Sequence, residues 1–178
     1  MTDARPDRRD PSGFVVAGRS AGMSDVRRFV AGSVALGLGG LVHAALTWPP
    51  RATAAFFAGG GFVAFVAEAA VIERGWLEHH VDPKLLGVPL YILAGWTGIV
   101  YVAFRIALLV ADGATAVALA AALATGYDAL TDHRGVAEGH WTYTDDLPGP
   151  RWRDVPWWNF VGWVAISATT AALAVPFL

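Results

Sequence analysis

Five runs of apolar residues, each long enough to cross a lipid bilayer, constrain this chain more than any other feature of its sequence. A spanning helix needs about 20 consecutive apolar residues, because an α-helix rises only about 1.5 Å per residue. The runs cover residues 29–48, 53–72, 85–110, 113–130 and 155–178. We therefore predict an all-α fold, a polytopic membrane helix bundle of about five transmembrane helices.

The overall composition supports the same fold class and excludes several functions. Hydrophobic residues make up 55% of the chain and charged residues 16%, whereas soluble domains carry about 25% charged residues. The net charge of −2 shows no basic excess, which argues against nucleic acid as a partner. The absence of cysteine removes disulfides, thiolate metal sites and cysteine nucleophiles.

Charged residues divide the chain into a tail and a membrane domain. Residues 1–25 mix Arg, Asp and Pro without an apolar core, which predicts a disordered cytoplasmic tail, and residues 26–178 form the predicted transmembrane helical domain. Basic residues collect in the tail and in the two long connections, 73–84 and 131–154, while Arg51 stands alone on the opposite side. The positive-inside rule then predicts a multi-pass protein of the cell membrane with its N-terminus inside. No repeat of fixed period is evident.

Three acidic residues are the first candidates for chemistry, because an ionisable group inside a membrane is costly. Glu68 interrupts the second apolar run, and Asp128 and Asp132 are spaced i, i+4 at the predicted cytoplasmic end of the fourth. In such a pair one carboxyl group can stay protonated while the other acts as a base. The alternative is structural, with Glu68 as a hydrogen-bond partner between helices and the aspartates at a solvated helix end.

Histidines suggest a second kind of site without a strong motif. Four lie in the predicted cytoplasmic loops beside acidic residues, which opens a metal-dependent membrane lipid enzyme as an alternative: His79, His80, His133 and His140. Their spacing matches no zinc signature, so we predict no metal and no cofactor. His43 stands alone on an apolar helix, where a packed, hydrogen-bonded role is expected.

The second half of the chain carries a recognisable set of motifs. It begins at Gly87-Val88-Pro89-Leu90-Tyr91, continues through Thr131-Asp132-His133, and ends in Val155-Pro156-Trp157-Trp158-Asn159-Phe160-Val161-Gly162-Trp163. Over roughly residues 60–165 the chain resembles the membrane carotenoid-biosynthesis proteins that include the hydratases of the bacterioruberin pathway. The closing Val-Pro-x-x-Asn-Phe-x-Gly-Trp signature is the most specific element of this resemblance.

The resemblance implies addition of water to the terminal C=C of an acyclic carotenoid, giving a tertiary alcohol without a cofactor. A carboxylic acid would protonate the alkene and a carboxylate would take the proton released by water, with Asn159 orienting water or substrate beside Glu68, Asp128 and Asp132. Aromatic faces could stabilise the intermediate cation and bind the substrate. The residues proposed for that role are Tyr91, Trp96, Trp141, Trp158 and Trp163.

The implied partners are the lipid bilayer and a carotenoid or other isoprenoid lipid. A non-catalytic alternative also fits a short chain with small-residue helix faces. In that alternative the chain is a membrane subunit that binds lipid or pigment in a larger complex, with another membrane protein or further copies of itself as partners.

Overall fold

Five helices long and apolar enough to cross a membrane make up most of the computed structural model, which describes residues 22–144 and 146–178. The predicted helical membrane bundle is therefore confirmed. The first span is α1, and the second joins α2 to α3 through one π-helical turn, Ala55–Gly59. The helices are α1 (Met23–Thr47), α2 (Pro50–Ala54), α3 (Gly60–Glu73), α4 (Leu90–Ala107), α5 (Gly113–Ala137) and α6 (Trp157–Ala174), with a 3₁₀ turn at Val175–Phe177.

The helix ends differ from the predicted ones where polar residues take part in helices or apolar residues do not. The helix α1 begins at Met23, six residues early, because its first turn is polar and held by an Arg28–Asp25 ion pair of 2.7 Å. Of the tail predicted for residues 1–25, residues 1–21 lie outside the described part and 23–25 are helical. The helix α5 continues to Ala137, so Asp132 and His133 lie on a helix and not in a loop.

Within the described residues, six short strands pair at one end of the bundle, which we call the polar end; the connections 48–49 and 108–112 form the far end. The strands are β1 (Leu77–His79), β2 (Lys84–Leu85), β3 (Val88–Pro89), β4 (Trp141–Tyr143), β5 (Arg151–Trp152) and β6 (Val155–Pro156). Both β2–β3 and β5–β6 are small hairpins, and β1 pairs with β4 in antiparallel register. Hydropathy could not predict these strands, because each is only two or three residues long. The apolar residues of β3 and β6 also continue directly into the helices α4 and α6.

Close helix contacts at small residues hold the spans together. A Cβ on Gly37 would overlap the backbone of Ala94, so α1 and α4 touch at their main chains. An aromatic cluster fills the far half of the bundle, where Phe56 and Phe104 are fully buried beside Tyr101. Small residues at helix crossings and interlocking rings are the usual means of helix association in lipid.

The structure reveals an internal repeat that sequence inspection missed. Residues 68–80 and 132–144 follow the same path at an offset of 64, and residues 83–107 and 150–174 follow the same path at an offset of 67. The glycines that follow α3 and α5 have the same backbone conformation, since Gly75 and Gly139 have φ of 72° and 73°. Both halves also read Val-Pro, five residues, Gly-Trp, at 88–96 and 155–163.

A pseudo-twofold axis relates the two halves and passes through the β1–β4 pair. Leu77 faces Tyr143 and His79 faces Trp141, while Glu78 and Thr142 meet at the centre. The flanking bonds are also exchanged by the axis: His80 N donates to His140 O at 2.9 Å, and Thr144 N to Trp76 O at 3.1 Å. Equivalent residues of the two halves therefore lie on opposite sides of this axis at the polar end.

Candidate functional site

Glu68 and His79 form the first buried polar pair at the polar end. Glu68 lies in the last two turns of α3, and its Oε1 is 2.6 Å from Nε2 of His79. The His79 side chain is 2% exposed and the Glu68 side chain 24% exposed. The strand β1 positions the imidazole, and the Nζ of Lys84 donates to the His79 carbonyl at 2.9 Å. The pair joins the first long connection to the second span.

Asp128 and Asp132 are the second element of the site, one turn apart on α5. Both are buried, with 3% and 8% of their surfaces exposed. The Nδ2 of Asn159, in the first turn of α6, donates to Asp128 Oδ2 at 2.8 Å. The hydroxyl of Tyr143, on β4, donates to Asp132 Oδ2 at 2.9 Å. Each aspartate therefore has its own donor from a different element.

The three acidic residues that the sequence singled out lie close together. The charge of Glu68 acts on both Asp128 and Asp132. Burial raises the pKa of Tyr143 well above its usual value, and the charges of Asp132, Asp128 and Glu68 add to that rise. Tyr143 therefore keeps its proton at neutral pH and acts as a donor to Asp132.

Aromatic residues surround this carboxyl cluster. Trp141 is buried close to Asp132, and Trp158 packs edge-on against Tyr143 with 5.5 Å between ring centroids. Tyr91 is 3% exposed, lies within Coulombic range of Glu68, and touches Phe29 at 5.6 Å between centroids. Three of the five predicted substrate-binding residues thus lie at the cluster.

The other two predicted aromatic residues meet deeper in the bundle. The Trp96 and Trp163 ring centroids are 5.3 Å apart, and the two positions are equivalent in the internal repeat. They therefore contact each other across the pseudo-axis, and both pack against the aromatic core.

Several buried polar atoms at the site have no hydrogen-bond partner within the described residues. They include Nδ1 of His79, the hydroxyl of Tyr91 and Nε1 of Trp141, which is near Asp132 but outside hydrogen-bond geometry. Buried polar groups are nearly always satisfied in folded proteins. Polar groups beside a carboxyl cluster that have no partner among the described residues are suited to bind water or a polar reacting group.

The remaining histidines do not gather into a metal site. Residues 22–144 and 146–178 contain no group of three or more His, Asp or Glu residues that could hold a metal ion. His80 bonds Thr142 at 2.8 Å, and Nε2 of His133 is 3.2 Å from Nη1 of Arg153.

His140 stacks on Phe29, and burial lowers its pKa below the usual value against the opposing charge of Glu138. His43 lies far along α1 with Nδ1 2.7 Å from the Tyr101 hydroxyl.

A groove of about 580 Å³ runs between α5 and α6 toward the far end. Its walls are almost entirely apolar, formed by Ala and Val together with Gly113 and Pro176. On α5 the groove residues Ala114 and Ala121 are followed by Asp128 at intervals of seven residues, which returns to one helix face after two turns. The groove and the carboxyl cluster therefore lie along the same side of α5.

Sequence reasoning considered His79 only as a possible metal ligand, and it missed the bonds of His79 and Tyr143 to the acidic residues. Both lie in connections where polar residues are expected, and their bonds to Glu68 and Asp132 depend on the strands. One signal was present: each partner lies eleven residues after its acid, at 68 and 79 and at 132 and 143. Reading that equal spacing would have revealed both pairs and the repeat.

Comparison with known proteins gives one match. A family model described as "Carotenoid biosynthesis protein" matches residues 34–178. The matched range includes all four predicted catalytic residues, all five predicted aromatic residues and both newly found partners. Neither the curated proteins nor the solved structures give a match to this chain.

Proposed function

This chain belongs to the carotenoid biosynthesis protein family, as a multi-pass membrane protein, and from that premise we propose that it is a carotenoid hydratase. The proposed reaction adds water to the terminal C=C of an acyclic carotenoid. The observation that carries the proposal is the cluster of buried Asp128 and Asp132 with half-buried Glu68 at one end of an apolar bundle. Such a cluster can exchange protons with a substrate that is itself dissolved in lipid.

Asp128 is the proposed proton donor. It lies one turn deeper in the bundle than Asp132 and is less exposed, 3% against 8%. Two neighbouring carboxyl groups in an apolar site are most stable when one of them holds a proton. Asn159 donates to Asp128 and Tyr143 donates to Asp132, so each aspartate has a donor that favours its charged form. The deeper burial of Asp128 therefore assigns the proton to that residue.

The reaction that follows needs only a proton, water and a stabilised cation. Protonation at the second carbon of the end group leaves a positive charge on the tertiary first carbon. Negative carboxylates and the faces of nearby rings such as Trp158 and Trp141 stabilise that charge. Water then adds to the first carbon and loses one proton, so the site ends with the protons it began with.

The groove between α5 and α6 supports a long apolar substrate. From Ala114 to Asp128 there are 14 residues, which at about 1.5 Å each correspond to about 21 Å along the helix. On α5 the groove extends from Gly113 to Ala122, and Asp128 lies beyond it by about 9 Å at about 1.5 Å per residue. In this proposal the polyene lies in the groove and its end group continues along α5 to the cluster. The polar end faces the cytoplasm in this proposal, in agreement with its excess of basic residues.

Pigment mass spectrometry tests the proposal directly. The full chain is produced in cells that accumulate an acyclic carotenoid with two unsaturated ψ ends, beside Asp128→Asn, Asp132→Asn and Glu68→Gln. We expect a mass gain of one water per end group for the native chain. We expect a loss of about 100-fold or more for Asp128→Asn, the range for removal of a general acid.

Asp112→Asn is the matched control, because Asp112 caps the opposite end of α5 and its side chain makes no capping bond. It should leave hydration unchanged, with all variants compared at equal amounts in the membrane. No mass gain with the native chain folded in the membrane would contradict the hydratase. Pigment that copurifies unchanged would then favour the non-catalytic pigment-binding subunit.

A further inference from the structure

We propose that His79, oriented by Glu68, is the base that removes the proton from the attacking water. The proposal rests on the hydration described above and assigns a role that the three acidic residues leave open. It divides the site into a half that donates a proton and a half that accepts one.

The bond between Glu68 and His79 determines which ring nitrogen is free. The short contact of 2.6 Å joins Glu68 Oε1 to His79 Nε2. A carboxylate only accepts hydrogen bonds, so Nε2 carries the hydrogen and Nδ1 of the neutral ring keeps its lone pair. Nδ1 is buried and has no hydrogen-bond partner among residues 22–144 and 146–178. A carboxylate orients a catalytic histidine in the same way in the Ser-His-Asp triad, although there it binds Nδ1 and the free nitrogen is Nε2.

The internal repeat shows why this group differs from its counterpart. Tyr143 occupies the position equivalent to His79, and Asp132 the position equivalent to Glu68. The phenol uses its single hydrogen on Asp132, and burial and nearby charges keep its pKa well above the usual value. It therefore cannot take a proton from water, whereas the imidazole can. Equivalent positions on the two sides of the axis thus hold a donor and an acceptor.

The proton and electron changes balance without another reagent. The O–H bond of Asp128 breaks as a C–H bond forms at the second carbon, and the π electrons leave the tertiary carbon positive. A lone pair of water forms the C–O bond, and one O–H bond of that water breaks as Nδ1 of His79 takes the proton. Glu68 stabilises the resulting imidazolium. The proton then returns to the carboxylate of Asp128 through the carboxyl cluster, which restores both groups.

Deuterium separates this role from a structural one. Proteoliposomes containing the full chain and the acyclic ψ-end carotenoid are incubated in D₂O. Mass spectrometry then gives the masses of the hydrated product and of the unhydrated carotenoid that is recovered. If the cation forms but water cannot be deprotonated, the cation loses a methyl proton and returns to an alkene. The recovered carotenoid then carries one deuterium, a gain of about one mass unit without water.

His79→Gln keeps a side chain that can bond to Glu68 but has no basic nitrogen. We expect its hydration to fall about 100-fold or more, as for loss of a general base, with deuterium retained in the recovered carotenoid. Asp128→Asn should lose both signals. Glu68→Gln should raise the ratio of deuterated recovered carotenoid to hydrated product, as His79→Gln does. It removes the carboxylate that orients the base, while Asp128 and its bond from Asn159 stay in place.

His80→Gln is the matched control, because His80 adjoins His79 but its side chain is 38% exposed and bonds Thr142. It should behave as the native chain. Unchanged hydration in His79→Gln, or equal loss of both signals in His79→Gln and Glu68→Gln, would overturn the proposal. If His79→Gln does not fold, the ratio in Glu68→Gln decides. No water gain in the native chain would instead refute the hydratase itself.

Discussion

Each acidic residue of the site has a hydrogen-bond partner of its own, and the partners differ in chemistry. Glu68 is bonded by an imidazole, Asp128 by an amide and Asp132 by a phenol. Charged groups in an apolar interior are tolerated only when they are paired and hydrogen-bonded. The amide and the phenol hold their carboxyl groups in place, and only the imidazole has a second ring nitrogen that can accept a proton.

His140 gives a prediction at the scale of one residue. Burial lowers its pKa below the usual value of about 6.5, so the unfolded chain binds a proton at a pH where the folded chain does not. Its contribution to stability is present above about pH 6.5 and is lost as the pH falls. We expect the melting temperature in detergent to drop between pH 7.5 and 5, and to drop less in His140→Phe, which keeps the ring on Phe29. Equal pH slopes for both proteins would refute this assignment.

At the scale of elements, the end of α5 and the strand β4 are fitted closely together. Gly135 lies under the Trp141 indole, and a Cβ there would overlap the ring. The same ring borders Asp132 and faces His79 across the β1–β4 pair. A change at Gly135 therefore reaches both halves of the site through one side chain.

Gly135→Ala is expected to destabilise the chain by about 1–3 kcal/mol, the usual cost of overpacking, and to reduce hydration by displacing Trp141. Gly126→Ala, on the same helix with open space around it, should be neutral or stabilising by up to about 1 kcal/mol, because alanine favours helix. Thermal unfolding in detergent measures both. A Gly135→Ala protein as stable as Gly126→Ala would show that the ring can move aside.

The elements also show what the sequence could and could not predict. The five spans follow from hydropathy alone, because lipid requires long apolar helices. The pairing of Asp128 with Asp132 follows from helix periodicity. The approach of Glu68 to them depends on how α3 packs at the polar end, which no local pattern contains. The strands, and with them the pairing of His79 and Tyr143 with the acidic residues, were missed because two or three residues carry too little periodicity to identify a strand.

At the scale of the molecule, the repeat was hidden by its own divergence. Three additional residues in the second connection change the offset from 64 to 67. The equivalent partners are also of different types, histidine in one half and tyrosine in the other. The Val-Pro and Gly-Trp pairs are the clearest identical residues that the two halves share in sequence, at 88–96 and 155–163.

The arrangement of the spans predicts which connections face the same side of the membrane. The chain has no cysteine, so single cysteines report position cleanly. Cysteine at Glu78 or Asp154 should react with a membrane-impermeant maleimide from one side, and cysteine at Arg51 or Asp112 only from the other. Basic residues predict that the first side is the cytoplasm. Labelling of Glu78 and Asp154 positions from opposite sides would contradict the five-span topology.

The pseudo-twofold axis has a stereochemical consequence for the proposed reaction. An end group lying on the axis has the α5 half on one face of its double bond and the Glu68–His79 half on the other. Asp128 then delivers hydrogen to one face, and the water that His79 deprotonates approaches the opposite face. Hydrogen and hydroxyl therefore add to opposite faces of the double bond. The two methyl groups of the product alcohol are chemically identical, but each derives from a defined one of the two methyl positions of the alkene.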